Sequence, residues 1–360
     1  MSNPQSGLPP RRSSGKKPVK KQKAKKKKSF LKSFMLFVLI LLIVGVVAGG
    51  VYAYYISRQV EAVLDTGIDK EVPKTELAEA KPLTVLLLGT DYRPKHQTYL
   101  SDVVMVATLN PNTKSATLVS LPRDTKIELD GYHSRKLNEY YPVFKSKEKE
   151  NGISAEDEMK TLISKYMNIN IDYVTAINFQ GFRDIVDELG GVNVTVDKNM
   201  CYRDSADGTD INLTAGDKHL NGDEALDFVR YRKSNCRPKT AASDDFERNK
   251  RQNQVLRALI DQMQSFGGIA KLGNVIKAVD NNLTTDIESK QMKNLLTTYW
   301  NISKDDVKYR PVGGTWRSPY VYINEEELNE ARQALKDEED GVSAASTESS
   351  TTSAEQTENP

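Results

Sequence analysis

The chain has 360 residues, 38% of them hydrophobic and 28% charged, with 51 Lys and Arg against 49 Asp and Glu. That is too apolar for a disordered protein and long enough to bury a substantial core, and two cysteines are too few for a disulfide-dense scaffold. The net charge of +2 conceals an asymmetry: twelve bases and no acid lie in the first 32 residues, which leaves 39 bases against 49 acids, about −10, for the remainder. An acidic body is a poor general binder of polyanions, so arginines clustered within it call for a local explanation.

Residues 1–33, with Arg11, Arg12 and the run Lys25 to Lys28, are expected to form a basic disordered tail. Residues 34–56 are apolar and uncharged. As a helix they would span about 35 Å, enough to cross a hydrocarbon core of about 30 Å. A cleavable signal peptide is the competing reading. The length of the run, the lack of an A-x-A site and the interfacial Tyr52, Tyr54 and Tyr55 favour a transmembrane helix. Flanking Lys and Arg then put the N-terminus in the cytoplasm and everything beyond about residue 57 outside the cell.

Residues 57–80 read as a polar stalk and 336–360, rich in Ser, Thr, Glu and Asp, as a disordered acidic tail. Between them, residues 81–335 are expected to form one extracellular α/β domain. The runs LTVLLLG (83–89), VVMVATL (103–109), ATLVSL (116–121), VTAINF (174–179) and VNVTV (192–196) read as strands. Helices are expected over 155–167, ahead of Gly190 and Gly191, and over 246–266, the last with Asp244 and Glu247 as a capping pair.

Several polar residues fall at strand ends. Asp91 follows the first strand and Asp102 precedes the second, so the two carboxylates could share a hard cation such as Mg²⁺, though acids at strand ends also cap loops. Arg123 and Asp124 follow the third strand in SLPRDT. Lys136 stands in RKLNEYY, where a solvated pair with Arg135 is the plainer reading. Arg230 and Arg232 in VRYR would face one side of a strand, and Arg248 and Gln252 one side of a helix, with Arg251 about 60° off that line. Arginines aimed at one point suit a phosphate or pyrophosphate. His96, His133 and His219 are isolated, and no nucleophile and base pair stands out. Cys201 and Cys236 are expected to pair outside the cell, with two free buried thiols as the alternative.

The ordered set LLLGTD, SDVVMVATLNP, VSLPRDT, KLNEYY, ELGGVNVTV, LNGDEALDFVRYR and DFERNKRQ resembles the LytR-CpsA-Psr family of bacterial cell-envelope proteins, over roughly residues 83–263. The resemblance implies a central mixed β-sheet sandwiched by helices, with a long apolar groove for a lipid. It implies a phosphotransferase that moves an anionic glycopolymer, such as teichoic acid or capsule, from an undecaprenyl-pyrophosphate carrier at the bacterial plasma membrane onto peptidoglycan, commonly at the 6-hydroxyl of N-acetylmuramic acid. By motif it also implies Mg²⁺, or Mn²⁺, at Asp91 and Asp102, pyrophosphate contacts from Arg123, Arg230, Arg232 and Arg248, and Lys136 and Gln252 completing the site. Segment 233–244, with Cys236, is longer than the family's usual link, and a bridge to Cys201 would pin it near the site. Two rival readings stay open: a polyprenyl-pyrophosphate binder or pyrophosphatase without transfer, and a transcriptional regulator. Against the second, no helix-turn-helix pattern accompanies the basic tail, so no specific nucleic acid is expected as a partner.

Overall fold

A computed structural model of the chain describes residues 71–93, 98–205, 208–265 and 274–342. The expected basic tail (1–33), membrane span (34–56), most of the stalk and most of the C-terminal tail lie outside these residues. Among the described residues no helix is long and apolar enough to cross a membrane.

Strands β1 (Leu83–Arg93), β2 (Thr98–Asn110) and β3 (Ser115–Leu121) form an antiparallel meander in which Val106 faces both Leu86 and Val119. A short pair, β4 (Lys126–Ile127) and β5 (Arg135–Lys136), precedes helices α1 (Tyr140–Asn151) and α2 (Ala155–Met167). Helix α2 has the bounds its sequence predicts. Ser154 caps it by accepting from the amide of Asp157, and Glu156, Asp157 and Glu158 complement the helix dipole in its first turn. Strand β6 (Tyr173–Asn178) leads into α3 (Phe179–Leu189), which closes at Gly190 in the left-handed conformation (φ 91°). Glycine adopts that conformation without a Cβ penalty.

Two small two-stranded sheets follow. In one, β7 (Val192–Val196) pairs with β10 (Gly216–Leu220); in the other, β8 (Met200–Asp204) pairs with β9 (Thr209–Leu213). After them the sequence reading fails: VRYR is not a strand. Asn221 and Glu224 form a capping box that starts helix α4 (Gly222–Arg230), so Arg230 is the last helical residue and Arg232 lies in the coil beyond. Helix α5 (Asp245–Gln264) begins where the Asp244 and Glu247 pair predicts. Further on come β11 (Leu283–Thr285), α6 (Ser289–Tyr299), β12 (Val307–Pro311), the hairpin β13 (Gly314–Arg317) and β14 (Tyr320–Ile323), and α7 (Glu325–Asp340).

The central sheet has the order β11-β6-β1-β2-β3-β12. It is mixed, since β6 runs parallel to β1 and β12 parallel to β3, while the other pairs are antiparallel. Alternation along the strands divides its two faces. Leu86, Leu88, Val104, Val106 and Val119 pack with Met159, Leu162 and Ile163 of α2 and Leu328 and Leu335 of α7 into the main core. On the opposite face Leu87, Met105 and Ile177 are only half-buried. That face looks toward α3, α4 and α5.

The domain is longer than composition indicates at both ends. Residues 71–80, assigned to the stalk, pack against α6: Val72, Leu77 and Ala78 are buried, and the amides of Ala78 and Glu79 donate to Gln291 and Asn294 at 3.2 and 2.8 Å. At the other end α7 continues through Asp340, five residues into the segment expected to be disordered. Glu338 anchors it, buried and accepting from Thr117 Oγ1 at 2.9 Å. Average polarity hides such sparse anchors.

Candidate functional site

Asp102 owes its position to an irregularity in the sheet. Gly89 faces Val103 and Thr90 faces Ser101, so the β1–β2 register slips by one and Asp102 is the extra residue. A bulge of this kind bends a strand and re-aims a side chain. A Cβ on Gly89 would lie 2.8 Å from Val103 Cβ, so the strands approach too closely here for another residue.

From Asp102 runs a chain of alternating charge. Arg123 Nη1 donates to Asp102 Oδ1 at 2.7 Å, Arg123 Nε lies 3.5 Å from Asp124 Oδ2, and Lys136 Nζ donates to Asp124 Oδ1 at 3.0 Å. Burial pulls the Arg123 pKa down, but Asp102 and Asp124 outweigh it and hold the guanidinium above its ordinary value. Arg123 is therefore a permanent, positioned cation.

Arg230 ends α4, where a positive charge complements the helix dipole, and its guanidinium lies 4.7 Å from the centroid of the Phe179 ring. One turn earlier, burial and the acids Asp223 and Asp210 outweigh Arg230 and push the Asp227 carboxyl up to about 6. Segment 233–244 is tied to β8. Cys236 forms a disulfide with Cys201, Asn235 accepts from Arg203 N at 2.9 Å and donates to its carbonyl at 2.6 Å, and Ser243 N donates to the carbonyl of Arg232 at 2.7 Å. The bridge holds the long link beside Arg232. Closing a loop of this length adds about 4 kcal/mol in the chain-entropy model.

Helix α5 separates its two arginines. Arg251 is buried, pairs with both oxygens of Asp197 at 2.7 Å, donates to the Tyr231 carbonyl at 3.3 Å and packs over Phe228 and Tyr231. Arg248 and Gln252 instead border a cavity, where Gln252 Oε1 accepts from Tyr309 at 3.3 Å. The side chain of Asp245, which opens the DFERNKRQ run three residues before Arg248, lies outside the described residues.

Asp102, Arg123, Arg248 and Gln252 line two adjoining cavities. One, of about 490 Å³, continues between the half-buried face of the sheet and α3, α4 and α5. Arg230 and Arg232 join the other cations at its head, and Phe179, Phe182, Leu226, Val229 and Leu256 help to line its body. The other, of about 330 Å³, is the more polar of the two and lies between the ends of β3 and β12 and the start of the terminal hairpin, with Asp124, Gly313, Val321 and Glu327 among its walls. Six predicted residues thus converge. Two stand apart: Lys136 reaches the site through Asp124, and Asp91 is buried on β1 opposite Leu100, lining neither cavity. Sequence reasoning missed Phe179, the ring beneath Arg230. The aromatic pair Phe179 and Phe182, three apart at a helix start, was the available signal.

The LytR_cpsA_psr family model matches residues 51–337 of this chain. The chain belongs to that family. Among its relatives, the polyisoprenyl-teichoic acid–peptidoglycan teichoic acid transferase TagU of Bacillus mycoides is 32% identical over 294 residues, covering 77% of this chain and 88% of that protein. The crystal structure of B. subtilis TagV is 30% identical with a TM-score of 0.57, covering 72% of this chain and 98% of TagV. The structure of TagT bound to LI-WTA is 26% identical with a TM-score of 0.53, covering 75% of this chain and 94% of TagT.

For the metal that the LytR-CpsA-Psr resemblance implies, the chain offers two carboxylates, of which Asp102 lines the cavities and already accepts from Arg123 while Asp91 lines neither. Asp91 and Asp102 come from paired strands at one end of the sheet, Asp91 standing opposite Leu100, two residues from Asp102. Both offer hard oxygen ligands. Among the described residues no group of three or more His, Cys, Asp or Glu could form a protein cage. Two carboxylates are the number from which Mg²⁺ is commonly held when waters and substrate phosphates would complete its shell.

Proposed function

We propose that this chain is a membrane-anchored phosphotransferase that moves an anionic glycopolymer from a polyprenyl-pyrophosphate carrier onto peptidoglycan. The observation that carries this reading is the join of an apolar groove to a head of four arginines and one bulge-positioned aspartate. An isoprenoid pyrophosphate has that same division, an apolar chain ending in clustered negative charge. Burial of the chain would contribute about 0.8 kcal/mol per CH₂. Each arginine contact to phosphate would add roughly 1.5 to 3 kcal/mol. The curated relative's name as a polyisoprenyl-teichoic acid–peptidoglycan transferase supports the same substrates here. The apolar span 34–56, preceded by bases, supports an anchor that keeps the domain beside membrane-borne donors.

In this reading Arg230, Arg232 and Arg248 hold the pyrophosphate at the mouth of the groove. Arg123 is fixed by Asp102 and Asp124 so that it meets developing charge without reorganising. A glycan hydroxyl bonds to the sugar-side phosphorus, the bridging P–O bond breaks, prenyl phosphate departs, and the hydroxyl proton passes to solvent. Magnesium at Asp91 and Asp102, when bound, would neutralise the non-bridging oxygens. No catalytic triad is required, because phosphoryl transfer rests on positioning and charge.

The test uses the full chain in detergent with a lipid-pyrophosphate donor and peptidoglycan. Asp102→Ala and Arg230→Ala should each abolish transfer, and chelation should abolish it reversibly on return of Mg²⁺. Wild-type turnover in both variants would overturn the assignment.

A further inference from the structure

The polar cavity has no role in holding a prenyl chain, yet it shares Asp102, Val103, Arg123, Arg248 and Gln252 with the groove that does. In-line phosphoryl transfer brings the attacking oxygen in opposite the leaving one. With prenyl phosphate leaving on the groove side, the nucleophile must approach from the polar side. The outer boundary of that side is the hairpin of β13 and β14.

This hairpin is fixed to the site. Val321 N donates to the Asp124 carbonyl at 2.8 Å, and Val321 bridges Thr125 directly after the SLPRD turn. Trp316 is the register partner of Val321, so both side chains project from the same side of the hairpin, and Val321 lines the polar cavity. Trp316 is nonetheless 56% exposed. Lys136 Nζ, which pairs with Asp124 of the cavity wall, lies 5.6 Å from the indole centroid. The ring stands on the hairpin that bounds the polar cavity, just outside its lining residues, and a flat indole so placed suits the C–H face of a pyranose. The ammonium beside it suits a carboxylate-bearing chain.

Building on the transferase reading above, we propose that Trp316, with Lys136, forms the subsite that receives the acceptor: a sugar ring of the peptidoglycan glycan strand stacks on the indole and directs its hydroxyl through the polar cavity toward the phosphorus. The donor's own polymer is not the occupant, because it is carried on the phosphorus under attack and does not supply the in-line oxygen.

The experiment titrates peptidoglycan glycan strands against the full chain in detergent at saturating lipid donor. Trp316→Ala should raise the acceptor KM about tenfold, with kcat and the donor KM within about twofold, the size expected for loss of one aromatic stacking contact. Trp316→Phe should recover most of the difference. An unchanged acceptor KM overturns the subsite, as does a rise in the donor KM instead, which would assign the ring to the donor's polymer. Both results leave the transferase reading intact; a wild-type protein that consumes donor and modifies no glycan overturns that reading and the subsite with it.

Discussion

Arg248 and Arg251 stand three positions apart on α5 and meet opposite environments. Arg251 is enclosed by Asp197, Phe228 and Tyr231, whereas Arg248 borders both cavities. Arg251→Ala strands the Asp197 carboxylate and opens a void. Because Asp197 is partly exposed, its loss should cost about 2 to 3 kcal/mol of unfolding free energy, less than for a fully buried pair. Arg248→Ala should cost less, about 1 kcal/mol at most, while weakening lipid-pyrophosphate binding about 10- to 100-fold, the loss of one charge-assisted contact. Denaturant unfolding and donor titration of both variants check this, and a donor defect confined to Arg251→Ala would reverse the roles. The helical spacing already separated the two: an offset of about 60° places Arg251 off the line of Arg248 and Gln252. What spacing withheld was the partner, because Asp197 lies 54 positions away in sequence.

At the scale of elements, capping chemistry was legible, and alternation held at VNVTV but misled at VRYR. Asp244 starts a helix where its side chain predicts, and Gly190 ends one. VRYR misled because two arginines two apart mimic a strand face, while the capping box at Asn221 and Glu224 was the stronger local signal. Once that helix forms, Arg230 and Arg232 no longer share a face by alternation; they meet at the groove because the helix ends between them. The capping pair on α5 carries a consequence for the site. Asp244→Ala removes a bond to the Glu247 amide and should cost about 1 kcal/mol. Arg248 sits one turn inside that end, so donor affinity should fall along with stability. Thermal unfolding and donor titration would check the pair of effects, and an undiminished melting temperature would contradict the capping account.

For the whole molecule, a sheet between helices was readable from the chain, but not where that sheet is left unfilled. Both faces of β1 and β2 are apolar, so periodicity cannot distinguish the face closed by α1, α2 and α7 from the one that borders the groove. The choice depends on how α4 and α5 pack, much later in the chain. The register slip at Asp102 was equally hidden, since a bulge is a relation between two strands. In the proposed function the junction of groove and polar cavity transfers a phosphoryl-linked polymer and does not merely cleave it. The most direct measurement supplies the full chain in detergent with donor labelled at the sugar-side phosphate, together with peptidoglycan and Mg²⁺. Label should become covalently bound to peptidoglycan, with one prenyl phosphate released for each polymer attached. Label recovered only as free polymer phosphate would contradict that function.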